Sequence, residues 1–339
     1  MATLHKTVLS WALLPWLMLA APHGTAQNQS DVRVLKFNHT DTPSGTRHTA
    51  AELFARKVSD YSGGKLRIMV FHSGQLGNDP QSIKQVADGK LDFTLSSTGS
   101  YAGMVPELNL TALPYLVTSY EDGWRFYDTS PWLRKQFDKL PAKGMHHIAT
   151  WEAGFRSFTT RSPLLSPGDA NGKKIRIFQN EMLKWIMEAI GYEPVVIPVT
   201  EVYAAIQQGK VDGQENPIDT IRALRFYEVA PNIVLTQHVY GPLPLVVSQS
   251  TWSKLTSAER SAVSKAALEA QQLSRTSVQQ ADERNLQAMA AAGAKVVRPD
   301  LQAFRKAMEP VYVKAQKAYG NDVATIIEEA RNSTQAKAK

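Results

Sequence analysis

The sequence predicts a two-lobed α/β protein whose lobes are spanned by one long helix. Strand-like and helix-like segments alternate from Val32 onward, and a four-residue pattern recurs in the same structural context about 120 residues later. An uninterrupted helical stretch of about 35 residues lies near the C-terminus. With 339 residues, 43% of them apolar, the chain is long enough to form two domains.

The first half of the chain begins with a predicted βαβ unit. Residues 33–37 are typical of a strand, and residues 50–61 place apolar side chains at helical spacing. Apolar side chains alternate again over residues 66–70, which indicates a second strand. A second helix is predicted over residues 80–87, and a third strand places the apolar residues of 91–95 on one face.

The same order of elements returns in the second half. Residues 175–177 predict a strand, and Asn180 can cap the helix that follows. Residues 195–197 predict the next strand, and Thr200 is expected to cap a helix over residues 201–208.

A repeated motif connects the two halves. Gly209-Lys210-Val211-Asp212 repeats the pattern of Gly89-Lys90-Leu91-Asp92, in both cases directly after a predicted helix. Because the match recurs in the same context, we interpret the halves as two lobes of related layout. One large sheet is the alternative that this pattern leaves open.

A long helix is predicted in the last third of the chain. Thr256-Ser257-Ala258-Glu259 has the form of a capping box, and no Gly or Pro follows before Gly293. At 1.5 Å per residue, about 35 residues make a helix of roughly 50 Å, which is long enough to run along both lobes. Val296 and Val297 can return to a sheet, residues 299–300 can start another helix, and residues 322–330 suggest a last one.

The N-terminus is typical of an exported protein. His5 and Lys6 precede an apolar run over residues 8–21, and the small residues Gly24-Thr25-Ala26 follow. The run is shorter than the roughly 20 residues that span a bilayer. We therefore predict a signal peptide over residues 1–26, cleaved after Ala26, and a soluble protein outside the cytoplasm.

Composition and missing motifs exclude several classes of function. The net charge of +7 is moderate and no basic block is present, so we expect no nucleic-acid partner. The chain has no Cys and lacks the nucleotide, dinucleotide, serine-hydrolase and zinc-protease motifs. His146 and His147 form the one histidine cluster in the sequence, but neighbours in a strand face opposite ways. We expect no metal and no cofactor, and one histidine of this pair packed with the other exposed.

Three polar residues stand out as candidates for binding an anion. Arg176 interrupts an apolar strand, where a guanidinium needs either an internal carboxylate or a ligand carboxylate. Arg156 lies among aromatic residues, which is also compatible with a surface charge that covers aromatic rings. Asn216 before Pro217 is typical of a helix N-cap, and a helix N-terminus can present donors to an anion.

At these residues the chain resembles the periplasmic solute-binding subunits of TRAP transporters, a family named for dicarboxylate binding. The resemblance covers about Val32 to Tyr319 and is carried by short motifs and one long segment. The motifs are Gly74-Gln75-Leu76-Gly77, Gly89-Lys90-Leu91-Asp92, Leu113-Pro114-Tyr115, Lys174-Ile175-Arg176-Ile177 and Phe226-Tyr227-Glu228-Val229, and the long segment runs from Glu201 to Pro217.

The resemblance implies a periplasmic-binding-protein fold with crossing hinge strands. It implies a first lobe of residues 27–152 and 242–281, a second lobe of residues 153–241 and 282–315, and a C-terminal helix and tail over residues 316–339. Such a protein is a monomer in the periplasm that carries an organic acid to the membrane subunits of a TRAP transporter and is not an enzyme.

The resemblance also assigns residues to the ligand. Arg176 takes the place of the arginine that pairs with the ligand carboxylate, while Arg156 and Asn216 match two further contact positions. Relatives that bind sialic acid tend to have Glu in place of Ser97 and Phe in place of Val199, which disfavours sialic acid here.

The remaining expected contacts are polar side chains that the family points toward the cleft. Glu152, Asp79 and His39 can share hydrogen bonds with a polyhydroxy acid, and we include Ser97 among the ligand residues. These residues favour a sugar acid such as a hexuronate. A C4-dicarboxylate or a 2-oxo acid is the alternative ligand, and a secreted enzyme that acts on an organic acid is the alternative of a different class.

Overall fold

A single nine-stranded sheet organises the part of the chain that the structure, a computed structural model, describes: residues 1–3 and 32–335. The predicted signal peptide and its cleavage site lie outside the described residues, apart from residues 1–3. The strands are β1 (Arg33–Asn38), β2 (Leu66–Phe71), β3 (Phe93–Leu95), β4 (Met145–Thr160), β5 (Lys174–Ile177), β6 (Glu193–Val196), β7 (Gly213–Pro217), β8 (Asn232–Ser248) and β9 (Lys295–Val297).

The strand order shows two halves that share a centre. The order is β2-β1-β3-β8-β4-β7-β5-β6, with β9 also paired to β8. Strands β1, β2 and β3 pair in parallel at one end, and β5 pairs in parallel with β6 and β7 at the other. The long antiparallel strands β4 and β8 join them. Both interpretations of the repeat therefore hold in part, because two related halves form one continuous sheet. We call the β1–β3 half the first lobe and the β5–β7 half the second lobe.

The pairing of β4 with β8 changes register where the two halves meet. Glu152 faces Pro242, but the next paired residues are Phe155 and Tyr240, so an irregularity lies between them. Gly154 sits in this irregularity with φ of 101°, a conformation that favours glycine. The lobe boundaries expected at 152/153 and 241/242 fall at this point of the sheet.

The helices cover the sheet and match most of the predicted segments. They are α1 (Thr46–Tyr61), α2 (Asp79–Ala87), α3 (Tyr120–Thr129), α4 (Pro131–Phe137), α5 (Glu181–Ala189), α6 (Val202–Gln207), α7 (Ile218–Ala223), α8 (Phe226–Val229), α9 (Gln249–Lys254), α10 (Ser257–Ala291), α11 (Leu301–Tyr319) and α12 (Asn321–Gln335). No helix among the described residues combines the length and the hydropathy that a membrane crossing requires.

Apolar side chains form three clusters. One lies in the first lobe and contains Phe54 and Trp151, and another lies in the second lobe and contains Phe226 and Met289. The third and largest draws on both halves and includes Phe158. Each lobe thus has an apolar cluster of its own, and the largest cluster is shared between them.

The predicted long helix is confirmed. Helix α10 is 35 residues long, and Thr256 and Glu259 form the capping box at its start, with the Thr256 hydroxyl accepting from the Glu259 amide at 3.2 Å. It packs against α1 of the first lobe, against β4 in the centre and against α7 and β9 beside the second lobe. Helix α10 therefore spans both lobes.

Three local predictions are wrong. Thr200 does not cap α6, because residues 199–201 form a 3-10 turn and the N-cap position falls on Glu201. Asn216 is not a helix N-cap, because it lies within β7 opposite Ser157 and α7 begins two residues later. His146 and His147 are both half-buried, since His146 stacks on Trp252 and His147 on Phe137.

Candidate functional site

The candidate site is a cavity between the two lobes. It is lined by residues of both halves that belong to strands, to helices and to the loops that follow the strands: Thr40, Asp41, Arg47, Asp79, Ser97, Ser100, Arg156, Arg176, Phe178, Val199, Asn216, Thr220 and Leu224. A larger cavity adjoins it and shares Asp79, Ser100, Arg176, Phe178 and Val199 with the first.

The topology of the sheet explains the position of the cavity. Thr40 and Ser97 follow the carboxyl ends of β1 and β3, while Phe178 and Val199 follow those of β5 and β6. In α/β proteins, ligands bind beyond the carboxyl ends of parallel strands where the direction of the sheet connections changes. The two lobes therefore present their binding edges to each other.

Arg176 is the most deeply placed cation of the cavity. Its side chain extends from β5 and the residue is 2% exposed, and its Nε donates to the carbonyl oxygen of Ile197 at 2.7 Å. No carboxylate among the described residues forms an ion pair with it. Burial lowers the pKa of Arg176 to about 10, although the negative charge of Glu215 acts to raise it. The guanidinium therefore stays positive at neutral pH. A buried cation of this kind calls for an anion.

Arg156 is held differently, because the protein supplies its counter-charge. The Arg156 Nη2 donates to Glu215 Oε1 at 2.7 Å and to the Glu215 carbonyl oxygen at 2.6 Å, and Nε donates to Oε2. The guanidinium also lies 5.1 Å above the ring of Phe178. Arg156 is therefore not a surface charge, because the residue is only 3% exposed. The expected contact of its guanidinium with an aromatic ring is present.

Glu215 and His238 support Arg156 from behind the cavity. The His238 Nε2 lies 3.5 Å from Glu215 Oε2, and its Nδ1 lies 2.9 Å from the hydroxyl of Thr236. Burial acts to raise the pKa of Glu215, but Arg156 and His238 outweigh it and the net pKa is lowered. The carboxylate therefore stays ionised and keeps the fork of Arg156 in place.

Asn216 enters the cavity from β7, next to Glu215 in the chain. Its Nδ2 donates to the side-chain oxygen of Gln214, and the Gln214 amide donates in turn to the hydroxyl of Thr159 at 2.8 Å. This chain of hydrogen bonds orients the amide of Asn216, whose residue is 6% exposed.

The first lobe contributes acceptors to the cavity. Asp79 begins α2 and accepts from the hydroxyl of Ser96 at 2.9 Å and from that of Thr40 at 3.3 Å. Ser97 lies beside it at the end of β3 and is half-buried. Together these groups can accept and donate hydrogen bonds to ligand hydroxyls.

Sequence reasoning missed Asp41 and Arg47, which also line the cavity. Burial raises the pKa of Asp41 to about 6, although Arg47 opposes this shift. The Arg47 Nη1 donates to the hydroxyl of Thr40 at 3.2 Å, and its Nε is buried without a partner. The position of Asp41 just after β1 was a usable signal, because the carboxyl ends of parallel strands meet at the cleft.

Glu152 does not line the cavity. Its carboxylate is buried at the register change of β4, where it accepts from Trp124 Nε1 at 2.7 Å, from the Gly154 amide at 2.7 Å and from the hydroxyl of Tyr240. Its backbone amide donates to the hydroxyl of Ser274 on α10 at 3.0 Å. Glu152 therefore joins β4 to α3, β8 and α10, and burial raises its pKa to about 7.

His39 lies behind the cavity wall rather than in it. Its Nδ1 accepts from the amide of Asp41 at 3.2 Å, and its Nε2 lies 3.2 Å from Nδ1 of His48. The residue is 1% exposed, so both ring nitrogens have protein partners and neither faces the cavity. Of the seven expected ligand residues, the structure brings together Arg176, Arg156, Asn216, Asp79 and Ser97.

The chemistry of the cavity is that of anion binding. Among the described residues, no group of three or more His, Asp or Glu side chains could hold a metal ion. The cavity combines an arginine without an internal counter-ion, an oriented amide and hydroxyl-binding acceptors.

Residues 37–318 match the family described as "Bacterial extracellular solute-binding protein, family 7" (DctP). The chain belongs to this family.

Relatives of this solute-binding family cover most of the chain. The sialic acid-binding periplasmic protein SiaP of Vibrio cholerae is 27% identical over 291 residues, which cover 86% of this chain and 91% of SiaP. The sugar acid binding protein DctPAm from Advenella mimigardefordensis, solved in complex with galactonate, has a TM-score of 0.86 and 30% identity over 89% of this chain and 98% of its own.

A TRAP periplasmic solute binding protein from Sulfitobacter sp. NAS-14.1, solved with β-D-galacturonate, has a TM-score of 0.84 and 28% identity. The match covers 88% of this chain and 100% of that protein. The expected family resemblance and the two-lobed fold with crossing central strands are confirmed by these matches.

Proposed function

We propose that this family 7 solute-binding protein captures a sugar acid, such as a hexuronate or hexonate, between its two lobes. The observation that carries the proposal is Arg176, a buried cation inside the interlobe cavity that no described carboxylate neutralises. The ligand carboxylate completes this ion pair through two parallel hydrogen bonds. The similar structures with galactonate and galacturonate support this ligand class.

The other cavity groups bind two different parts of the ligand, its carboxylate and its hydroxyls. Arg156 and Asn216 share the carboxylate end with Arg176, and Asp79 and Ser97 accept or share hydrogen bonds with the hydroxyl groups. Val199 adds a small apolar contact to the cavity, at a position where we expect Phe in relatives that bind sialic acid. The site thus fits an acid with one carboxylate and several hydroxyls.

Ligand capture couples to closure of the lobes about β4 and β8. The lobes are proposed to be residues 27–152 with 242–281 and residues 153–241 with 282–315, with residues 316–339 as a C-terminal extension. The hinge lies at Gly154 and the register change of the two central strands. A ligand that touches both lobes shifts the equilibrium toward the closed state by the contacts made only there.

The protein is proposed to act outside the cytoplasm as a monomer. Residues 1–26 direct export and are cleaved after Ala26. The loaded protein then delivers its acid to the membrane subunits of a TRAP transporter, and it binds the acid without converting it.

Calorimetric titration with a panel of acids tests the proposal. The panel contains D-glucuronate, D-galacturonate, D-galactonate, succinate, pyruvate and N-acetylneuraminate. We expect the sugar acids to bind most tightly and to raise the unfolding temperature in line with RT ln(1 + [L]/Kd). Tightest binding of succinate would support the dicarboxylate alternative, and no binding of any acid would contradict the proposal. Recovery of unchanged ligand by NMR separates a binding protein from an enzyme.

A further inference from the structure

Helix α1 of the first lobe has no cap from its N-cap residue, although the carboxylate of Asp41 also lies at the Arg47 amide in its first turn. Its N-cap residue is Gly45, no side chain at that position bonds to the helix, and the first turn contains no acidic residue. The first amides of a helix have no partner within the helix and favour negative charge. By contrast, α2, α5 and α10 each carry a capping side chain from the residue that directly precedes them.

A second carboxylate at the N-terminus of α1 comes from the second lobe. Asp219 lies on α7, and its Oδ2 accepts from the amide of Thr46 at 3.2 Å and from the hydroxyl of Thr46 at 2.6 Å. The other carboxylate oxygen accepts from Nδ2 of Asn285 at 3.2 Å. A second contact joins the same segments, since the hydroxyl of Thr42 donates to the carbonyl of Ala223 at 3.3 Å.

Chain connectivity places this contact next to the ligand cavity. Thr46 directly precedes Arg47, and Asp219 directly precedes Thr220, and both Arg47 and Thr220 line the cavity. Asn216 lies three residues before Asp219. A change in the distance between Thr46 and Asp219 therefore moves cavity residues of both lobes.

We propose that Asp219 is a positioning residue that latches the two lobes around the ligand by capping α1 from the opposite lobe. The inference rests on the proposed function, because the latch affects affinity only if ligand binding closes the lobes. In the open state, water replaces the carboxylate at the N-terminus of α1. The latch thus adds to the closed state alone and slows release of the ligand.

Two substitutions on opposite lobes test the latch, with D-glucuronate and D-galactonate as the probes. Asp219→Ala removes the cap, and Thr46→Val removes the shorter hydrogen bond while it keeps the shape of the side chain. Each should weaken the affinity about tenfold through faster dissociation, with little change in the association rate. Asp219→Asn should retain affinity within about threefold, because Asn is also a good capping residue.

Asp300→Ala is the matched control. Asp300 caps α11 from within the same segment, where it accepts from the amide of Gln302 at 2.9 Å. Its substitution should lower the unfolding temperature slightly and leave the affinity unchanged. Thr46→Val should show the reverse, with weaker affinity and a near-normal unfolding temperature of the unliganded protein, whereas Asp219→Ala should lower both because it also loses the bond to Asn285.

A double-mutant cycle decides between a latch and a merely structural contact. Asp219→Ala combined with Thr46→Val should weaken the affinity no more than Asp219→Ala alone, because Asp219→Ala already removes the hydrogen bond that Thr46→Val removes. The same cycle on the unfolding of the unliganded protein should show no coupling. Affinities of both single variants within twofold of wild type, or coupling confined to the unliganded protein, would overturn the latch. Failure of the wild-type protein to bind either probe would instead overturn the proposed function.

Discussion

Arg156 and Glu215 form a buried ion pair across β4 and β7, with the guanidinium Nη2 2.7 Å from Oε1 of the carboxylate. Arg176, which also lines the cavity, has no such partner among the described residues and donates to the carbonyl oxygen of Ile197. One arginine is therefore neutralised by the protein, and the other has no ion-pair partner among the described residues. In the proposed function, the ligand carboxylate pairs with Arg176, while Arg156 and Glu215 stabilise the fold.

Glu215→Gln should destabilise the protein. The change leaves Arg156 buried without a counter-ion, which costs about 3 to 5 kcal/mol when one partner of a buried pair is removed. Because the pKa of Glu215 is lowered in the fold, its contribution is present above the unfolded pKa of about 4.3 and is lost as the pH falls further. Chemical denaturation at pH 7 measures the loss, and an unchanged midpoint and slope would show that the pair does not stabilise the fold.

Glu152→Gln should change how stability depends on pH. Burial raises the pKa of Glu152 to about 7, so the folded state binds more protons than the unfolded state between about pH 4.3 and 7. The wild-type protein thus loses stability relative to the variant as the pH rises through this range. The difference in unfolding free energy should shift by about 3 kcal/mol in favour of the variant between pH 5 and pH 8.

Denaturation series for both proteins at several pH values give this difference directly. Ligand affinity serves as the control, since Glu152 lies outside the cavity and the variant should bind D-glucuronate within a few-fold of wild type. A constant stability difference across the range would contradict the assignment of a raised pKa to this carboxylate.

Asp79→Asn should reduce the preference of the protein for a ligand with one carboxylate over a ligand with two. Asp79 lines the cavity with its carboxylate hydrogen-bonded to Ser96 and Thr40, so a second carboxylate at that end of the ligand would meet a like charge. We expect D-galactonate to bind at least tenfold more tightly than its diacid counterpart, galactarate. The variant should narrow this ratio, chiefly by binding the diacid better.

Calorimetry of the two acids with both proteins measures the four affinities. Asp92→Asn is the control for the loss of one negative charge. Asp92 lies outside the cavity and accepts from the hydroxyl of Thr251. A ratio that stays the same in Asp79→Asn would mean that Asp79 does not take part in choosing between the acids.

Local patterns predicted local structure well. The capping box of Thr256 and Glu259 located the start of α10, and Asn180 caps α5 as expected, because both signals depend on residues three or fewer positions apart. The prediction that Thr200 caps α6 was wrong because of the turn that precedes this helix. A 3-10 turn preceding α6 shifted the helix start, and turn geometry of this kind leaves little trace in a propensity pattern.

Long-range pairing limited the prediction of the site. Arg176 stood out because it is a cation in an apolar strand, but the partner of Arg156 lies 59 residues away and depends on the register of β4 against β7. The same register places Asn216 in a strand rather than at a helix start. Glu152 was expected at the ligand because the family resemblance points it toward the cleft, whereas the bulge at Gly154 turns it toward Trp124 and Tyr240.

Titration of D-glucuronate and D-galactonate into wild type, Arg176→Ala and Arg176→Lys tests the central claim most directly. Loss of one partner of a buried charge pair costs about 2 to 5 kcal/mol, so Arg176→Ala should weaken binding by at least about 30-fold. Arg176→Lys should recover only part of the affinity, because an ammonium group cannot reproduce the two parallel hydrogen bonds. The unliganded Arg176→Ala protein should be at least as stable as wild type, since it no longer buries an unpaired cation. Near-normal affinity of Arg176→Ala for the acids that wild type binds would contradict the account.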